Sequence, residues 1–544
     1  MTVSLAQIPE ALAFSFVAGV DPQLGMQAAW IMGLVTSLAG GRPGMISGAT
    51  GATAVMMIEL VDAHGVEYLF FAVMLAGIFE LIFGLLKLGC LLRYIPHPVM
   101  VGFCNGLGIV IALAQFAFFK ENPDATTVRR ELIVIGQPFE VFTDDVPFVT
   151  GVEAVWVAVE VTVTFLIAFL LPRYSTAIPS SMVGIAVATA IEWAIVRQTG
   201  SETTTVEDLS SVAGSFPKII FLNDEYNLPR INGDLIATVL PTAILVAVVS
   251  LVESLMTLEL IDEITDTVGN PNREACGQGL AQFLSGLFGS MGGCVTIGQS
   301  MMNLQSGGTT RLSSSVAALF VLLIVLVAYP AINIIPVASL AGVMFCIVYH
   351  TIEWSSFKLI AASFFSKGVR EKIWGEGRGA KVKRSEIFIV LLVVAVTLVT
   401  DLVIAVGCGI VTAALVYAWD SGNTVVVSRV VEGNELVVYS VHGPLFFAGV
   451  KPFLTQFDVG ADSEIGQVDV ELSHCDIMDW SGIEALNILH LRYSKKEVKI
   501  RFISVRKESK NSLLKAKQIV SADVVELDVE GGGRRLSVAH PMGL

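Results

Sequence analysis

The chain has 544 residues, 54% of them apolar and only 15% charged, with a formal net charge of −15. A soluble chain would carry about 25% charged residues, so this composition and a mean hydropathy of +0.71 exclude a disordered chain, a disulfide scaffold and an ordinary soluble enzyme. The acidic balance disfavours nucleic acid as a partner, and the lipid bilayer is the expected surroundings.

Apolar segments long enough to span a bilayer fall near 3–20, 25–41, 44–60, 67–92, 97–119, 150–171 and 178–196, then near 234–258, 275–291, 295–307, 312–330, 334–353, 385–400 and 402–419. The count is about fourteen transmembrane segments, in an α-helical polytopic membrane protein. Met1 lies almost inside the first segment, with no basic stretch of a secretory signal before it, which leaves open a missing N-terminal piece. Seven cysteines are scattered without a CxxC pair, so they read as small buried hydrophobes rather than zinc or redox groups.

The first segment carries Pro9 and Glu10, and the eighth carries Glu253. An ionisable group inside an apolar helix is costly and marks a functional candidate; the plainer alternative is a paired or protonated structural glutamate. Glu80, Glu153, Glu160 and Glu192 read as interface or loop-end residues. Two short segments follow glycine-rich breaks, Gly41–Thr53 and Gly289–Ser300. Glycine lets the backbone leave the helix at membrane depth, which is tolerated only where it is buried or lines a cavity. Two half-helices starting there would offer N–H groups and positive dipole ends to an anion with no fixed cation beside it. Close packing of small residues is the alternative.

The features recur at one period. Glu10 and Glu253 are 243 residues apart, and Thr50 and Thr296 are 246 apart. Seven segments precede residue 200 and seven follow residue 233, so the halves enter the membrane in opposite senses. That is a seven-plus-seven inverted repeat, about 1–197 and 234–423, of the kind secondary transporters use.

Loop 355–384 holds eight basic residues, among them Lys358, Lys367, Arg370 and Arg384, and is expected in the cytoplasm. Parity then places loops 121–149 and 198–233 outside, Arg42, Arg93, Arg173, Arg273 and Arg311 inside, and both termini in the cytoplasm.

After residue 423 the pattern changes. Short strands are expected at 425–431, 436–440, 468–472 and 498–504, and helices at 450–457, 481–493 and 509–520. Their alternation implies an α/β domain over 424–530. The tail 531–544, beginning Gly531-Gly532-Gly533, reads as flexible.

Several motifs carry a resemblance. Pro9-Glu10-Ala11-Leu12-Ala13-Phe14, Pro96-His97-Pro98 with Gly102-Phe103, and above all Gly289-Ser290-Met291-Gly292-Gly293-Cys294 with Gly298-Gln299-Ser300 resemble the sulfate permease family of anion transporters. That family includes animal anion exchangers, prestin and cyanobacterial bicarbonate transporters. The resemblance implies a core and a gate domain, a homodimer and a small inorganic anion as substrate. It implies that Thr50, Val295, Thr296 and Ser300 bind the anion. Glu253 and Thr257 match the positions where sodium-coupled members hold Na⁺; Glu253 leaves Na⁺ and H⁺ both open. No other cofactor is implied.

His442-Gly443-Pro444-Leu445 and Asp476-Ile477-Met478-Asp479-Trp480-Ser481-Gly482 resemble STAS domains, expected in the cytoplasm. There Ser481 is either a helix N-cap or, as in bacterial antagonists, a phosphoacceptor; the cap is favoured. Arg534-Arg535-Leu536-Ser537 resembles a basic-directed kinase site.

The reading is thus secondary active transport of a small inorganic anion, sulfate or bicarbonate, by symport or exchange. Alternatives are a channel-like or prestin-like anion-binding protein, a dicarboxylate transporter, and a platform whose output is the STAS domain. Enzyme chemistry has no motif to support it, and the STAS region disfavours a nucleobase permease.

Overall fold

The computed structural model describes residues 2–89, 96–120, 147–174, 179–209, 214, 216–223, 226–364, 383–400, 402–432, 436–464, 466–503, 523–528 and 535–537. Most of loop 121–149, most of the basic stretch 355–384, the helix expected at 509–520 and most of the tail lie outside the described residues. The chain divides into two compact units, Met1–Ile410 and Val411–Leu544.

The first unit is helical. Its first seven long helices are α1 (Thr2–Val17), α2 (Pro22–Ala39), α3 (Gly51–His64), α4 (Val66–Leu85), α5 (His97–Ala114), α6 (Gly151–Leu170) and α7 (Ser180–Ile191). The next five are α8 (Gly233–Thr265), α9 (Pro271–Leu287), α10 (Ile297–Gln305), α11 (Arg311–Val327) and α12 (Val337–Thr351). Then come α13 (Trp354–Phe364), α14 (Arg384–Val399) and α15 (Leu402–Gly422), of which the part from Val411 on belongs to the second unit. Among the described residues, six helices are long and apolar enough to cross a membrane, the 33-residue α8 being the longest. Helix α13 was not expected, because its sequence lies in the basic stretch read as a loop.

Helix ends follow local chemistry. Asn232 accepts from Leu235 N–H at 2.8 Å and starts α8. Asn270 caps α9 ahead of Pro271, where proline loses no bond. The segments expected at 44–60 and 295–307 each open with a two-residue strand, β1 (Ser47–Gly48) and β2 (Cys294–Val295). The strands pair antiparallel, Ser47 opposite Val295 and Gly48 opposite Cys294. Helices α3 and α10 therefore leave the paired strands in opposite directions.

Helices α4 and α9 approach through glycine, since a Cβ on Gly279 would meet the backbone of Gly77 and Leu81 at 2.6 Å. Three of the arginines expected inside gather at one end of the unit. Arg42 binds Asp262 and Thr265 in the last turn of α8 and Thr267 just beyond it. Arg311 donates to Ser37 and Gly40 carbonyls at 2.9 and 2.6 Å, and Arg273 to that of Ala39 at 3.1 Å.

The second unit holds a six-stranded sheet in the order β3 (Val426–Glu432), β4 (Leu436–Leu445), β5 (Gln467–Ile477), β6 (Lys499–Ile503), β7 (Asp523–Asp528) and β8 (Arg535–Ser537). The edge pairs β3–β4 and β7–β8 are antiparallel and the pairs between are parallel. Helices α16 (Val450–Thr455) and α17 (Trp480–Ser494) connect them. Strands β7 and β8 were not expected, and β4 and β5 run past their expected ends.

The core of this unit closes on one carboxylate. Asp462 is fully buried and accepts from Tyr439 and Tyr493 hydroxyls at 2.6 and 2.7 Å and from Arg429 at 2.8 Å. Burial, then the bond to Asp462, pushes the Tyr493 hydroxyl well above its ordinary value. The folded unit holds the neutral tyrosine, so this tyrosine's contribution to stability is complete below about pH 10 and is lost above it. Asp462→Ala should cost roughly 1–3 kcal/mol for each tyrosine hydroxyl left unpaired, read as a lower unfolding midpoint of this unit.

Candidate functional site

The paired strands bring the two glycine-rich breaks together. Gly293 is where they touch: a Cβ there would overlap the Gly48 carbonyl oxygen. Its neighbour Gly292 has φ +71°, a left-handed conformation that suits glycine. Side chains from α8 and α9 hold this backbone. Gln282 accepts from Gly293 N–H at 2.9 Å, and Gln278 donates to the Gly293 carbonyl at 3.0 Å. Ser254 accepts from Val295 N–H at 3.3 Å.

Thr50 immediately precedes α3 and Thr296 immediately precedes α10. The first intrahelical bonds are those of Ala54 to Thr50 and Ser300 to Thr296. The amides of Gly51, Ala52 and Thr53, and those of Ile297, Gly298 and Gln299, therefore lack intrahelical acceptors. Each set sits at the positive end of its helix. These two helix starts, on either side of one strand pair, can stabilise a negative charge between them.

A chain of polar side chains joins the helix starts to α8. Thr53 and Thr50 hydroxyls are 3.0 Å apart, and Thr50 Oγ1 is 3.0 Å from Cys294 Sγ. The Cys294 thiol donates to Glu253 Oε2 at 2.8 Å. Thr50 is buried and Glu253 half-buried. On the other side Gln299, in the first turn of α10, donates to Glu10 of α1. Both glutamates therefore reach the break, Glu253 through Cys294 and Glu10 through Gln299.

The expected site residues fall differently. Thr50 lies in the chain described. The Val295 amide is taken by Ser254, and the Thr296 amide donates to the Ile46 carbonyl at 2.9 Å. The amides at the start of α10 that a ligand can use are the next ones along. Ser300 accepts from Ile46 N–H at 3.0 Å, which makes it a strut between the breaks. The Thr257 hydroxyl donates to the Glu253 carbonyl at 2.8 Å, along its own helix. Cys294, Gln299 and Gln7, which donates to the Ser47 carbonyl at 2.9 Å, were missed. Cys294 passed for a buried hydrophobe, although its place between Gly293 and Val295 put it in the break.

In the second unit the expected cap is corrected. Asp479, not Ser481, caps α17, accepting from Gly482 N–H at 2.9 Å. Ser481 lies in the first turn, half-buried. Ser537 lies in β8.

The chain is similar to known proteins along most of its length. The profile of the sulfate permease family matches residues 1–367, and that of the STAS domain matches residues 427–519. YbaR of Bacillus subtilis (strain 168) is 33% identical over 513 residues, 94% of each chain. Among solved structures, the transmembrane domain of the bicarbonate transporter BicA from a cyanobacterium aligns with a TM-score of 0.60 and 27% identity, over 74% of this chain and 94% of that one. The murine Solute Carrier 26 family member A9 anion transporter, in its inward-facing state, aligns with a TM-score of 0.70 and 15% identity, over 94% of this chain and 86% of that one; it shares the fold.

Proposed function

Since the chain belongs to the sulfate permease family, we propose that it is a secondary active transporter of a small inorganic anion, sulfate or bicarbonate, and not an enzyme. The family profile favours sulfate, and the likeness to BicA favours bicarbonate. The observation that carries the reading is the pair of helix starts facing one strand pair, with Thr50 linked through Cys294 to Glu253.

The anion sits between the starts of α3 and α10, held by first-turn amides and the Thr50 hydroxyl. A coupling cation, Na⁺ or H⁺, sits at the Glu253 carboxylate, one turn before Thr257 on α8. The cation neutralises a carboxylate that burial otherwise disfavours, and its charge attracts the anion. Loading of the two is then mutually dependent.

The helices other than α13 form fourteen spans in two inverted halves of seven, in a homodimer. Residues 1–423 are the transport domain, 424–530 the STAS domain and 531–544 a tail. Both termini and the STAS domain are cytoplasmic, and loops 121–149 and 198–233 lie outside. Single-cysteine labelling from the two sides of the membrane checks this; labelling of either loop only from the cytoplasm contradicts it.

Thr50→Val tests the site. It removes a hydroxyl and keeps the shape. Losing a hydrogen bond to a charged ligand costs roughly 1.5–3 kcal/mol, or about ten- to a hundredfold in affinity. Anion concentration dependence of uptake should shift by that factor. Unchanged affinity and rate would remove Thr50 from the site.

A further inference from the structure

Away from the strand pair, two buried carboxyl groups meet where α6 and the end of α7 come together. Glu160 and Glu192 are both fully buried. Thr203 lies between them, with Oγ1 3.2 Å from Glu160 Oε2 and 2.9 Å from Glu192 Oε2. The Thr203 amide donates to Glu192 Oε1 at 3.2 Å, and Arg197 Nε donates to the same oxygen at 3.0 Å. Glu160 Oε1 is buried with no hydrogen-bond partner among the described residues.

A threonine hydroxyl has one proton and donates to one oxygen at a time. Thr203 Oγ1 contacts two carboxyl oxygens. The second contact is a hydrogen bond only where that carboxyl brings its own proton. Charge gives the same count. Two carboxylates against one guanidinium leave one negative charge, and a buried unpaired charge is strongly disfavoured. Glu192 has both the guanidinium and the amide, which hold it as the anion. Glu160 has neither.

The geometry points to a binding site for one proton, carried by Glu160. Glu160 Oε2–H donates to Thr203 Oγ1, and the Thr203 hydroxyl donates to Glu192 Oε2. The other charged groups nearby are engaged elsewhere. Asp208 accepts from the Thr205 amide and hydroxyl at 2.8 and 2.7 Å. Helix α12 packs on both α6 and α7; it meets α6 with Gly342 against Val161 and Thr164, and its Cys346, Tyr349 and His350 come later in the helix. Helix α1 contributes Glu10, which is bound by Gln299.

The proton fastens one part of the unit to another. The residues after Thr203 pair with the segment that opens α12: Val337 N–H donates to the Thr204 carbonyl and Val206 N–H to that of Ile335, both at 2.9 Å. Without the proton, two buried anions repel beneath this clasp, so the clasp weakens as pH rises.

The test uses the purified full-length chain in lipid nanodiscs and does not depend on transport. Infrared spectra should show a protonated-carboxyl carbonyl band at neutral pH that Glu160→Gln removes and Thr203→Val shifts. The wild-type unfolding temperature should fall by several degrees between about pH 5, just above where an unfolded glutamate titrates, and about pH 9. Glu160→Gln, whose amide donates permanently, should flatten that fall, and Glu160→Ala should be less stable throughout. Should Glu160→Gln fail to fold, the band shift in Thr203→Val decides. The proposal is overturned by a band unchanged in both variants, by a fall between about pH 5 and 9 that survives in Glu160→Gln, or by stability that follows Na⁺ at fixed pH and identifies a metal cation in place of the proton.

Discussion

Glu253→Gln should abolish or uncouple cation-driven anion uptake while the protein still folds and assembles. The substitution keeps an oxygen where the Cys294 thiol donates at 2.8 Å, so the polar chain from Thr50 to α8 can persist. What disappears is the charge. A coupling cation loses its counter-ion, and the anion loses the cation that offsets its own charge. Removing one charge-assisted contact costs roughly 1.5–3 kcal/mol. Because loading of both ions is affected, cation-driven uptake should drop by at least about tenfold. The measurement is uptake into proteoliposomes under a Na⁺ gradient and a pH gradient applied separately, with size-exclusion behaviour as the control for assembly. If the variant keeps the wild-type rate and cation dependence, Glu253 is a structural residue.

Gly293→Ala should damage the site without touching any ligand. The added methyl would overlap the Gly48 carbonyl oxygen. Backbone on both sides is fixed, Gly293 by Gln278 and Gln282 and Ser47 by Gln7, so neither strand yields easily. Overpacking of this kind costs about 1–3 kcal/mol. The starts of α3 and α10 are positioned by this strand pair, so a shift of either displaces one set of amides from the anion. Uptake should be nearly lost, while the unfolding temperature falls by only a few degrees. A variant with wild-type uptake would show that the register of β1 against β2 is not what sets the site.

The sequence made the helical order legible because apolar segments of membrane length are its strongest signal. The breaks were legible for a related reason: glycine clusters in an apolar run mean backbone that leaves the helix. Which polar atoms fill the breaks was not legible. Val295 and Thr296 looked like ligands because they begin the half-helix, but their amides are consumed by Ser254 and Ile46. The Ile46 bond depends on the strand pairing, which joins residues nearly 250 apart, and the Ser254 bond on how α8 packs against β2. Cys294 was passed over because a lone cysteine in apolar sequence is usually packing; only its contact with both Thr50 and Glu253 shows otherwise. Helix α13 was hidden by the basic residues around it. In the STAS domain, Ser481 was favoured as the cap on residue type, whereas Asp479, two residues earlier, has the geometry. Glu160 and Glu192 read as interface or loop-end residues because their meeting depends on Thr203, supplied by the chain beyond α7.

The central claim is that an anion bound between the starts of α3 and α10 is moved by coupling to a cation at Glu253. Uptake of labelled sulfate and labelled bicarbonate into proteoliposomes, with Na⁺ and pH gradients imposed one at a time, tests it most directly. The account predicts accumulation of one of these anions above equilibrium under one of the gradients, lost in Glu253→Gln and shifted to higher anion concentration in Thr50→Val. Anion currents or binding without gradient-driven accumulation would contradict it.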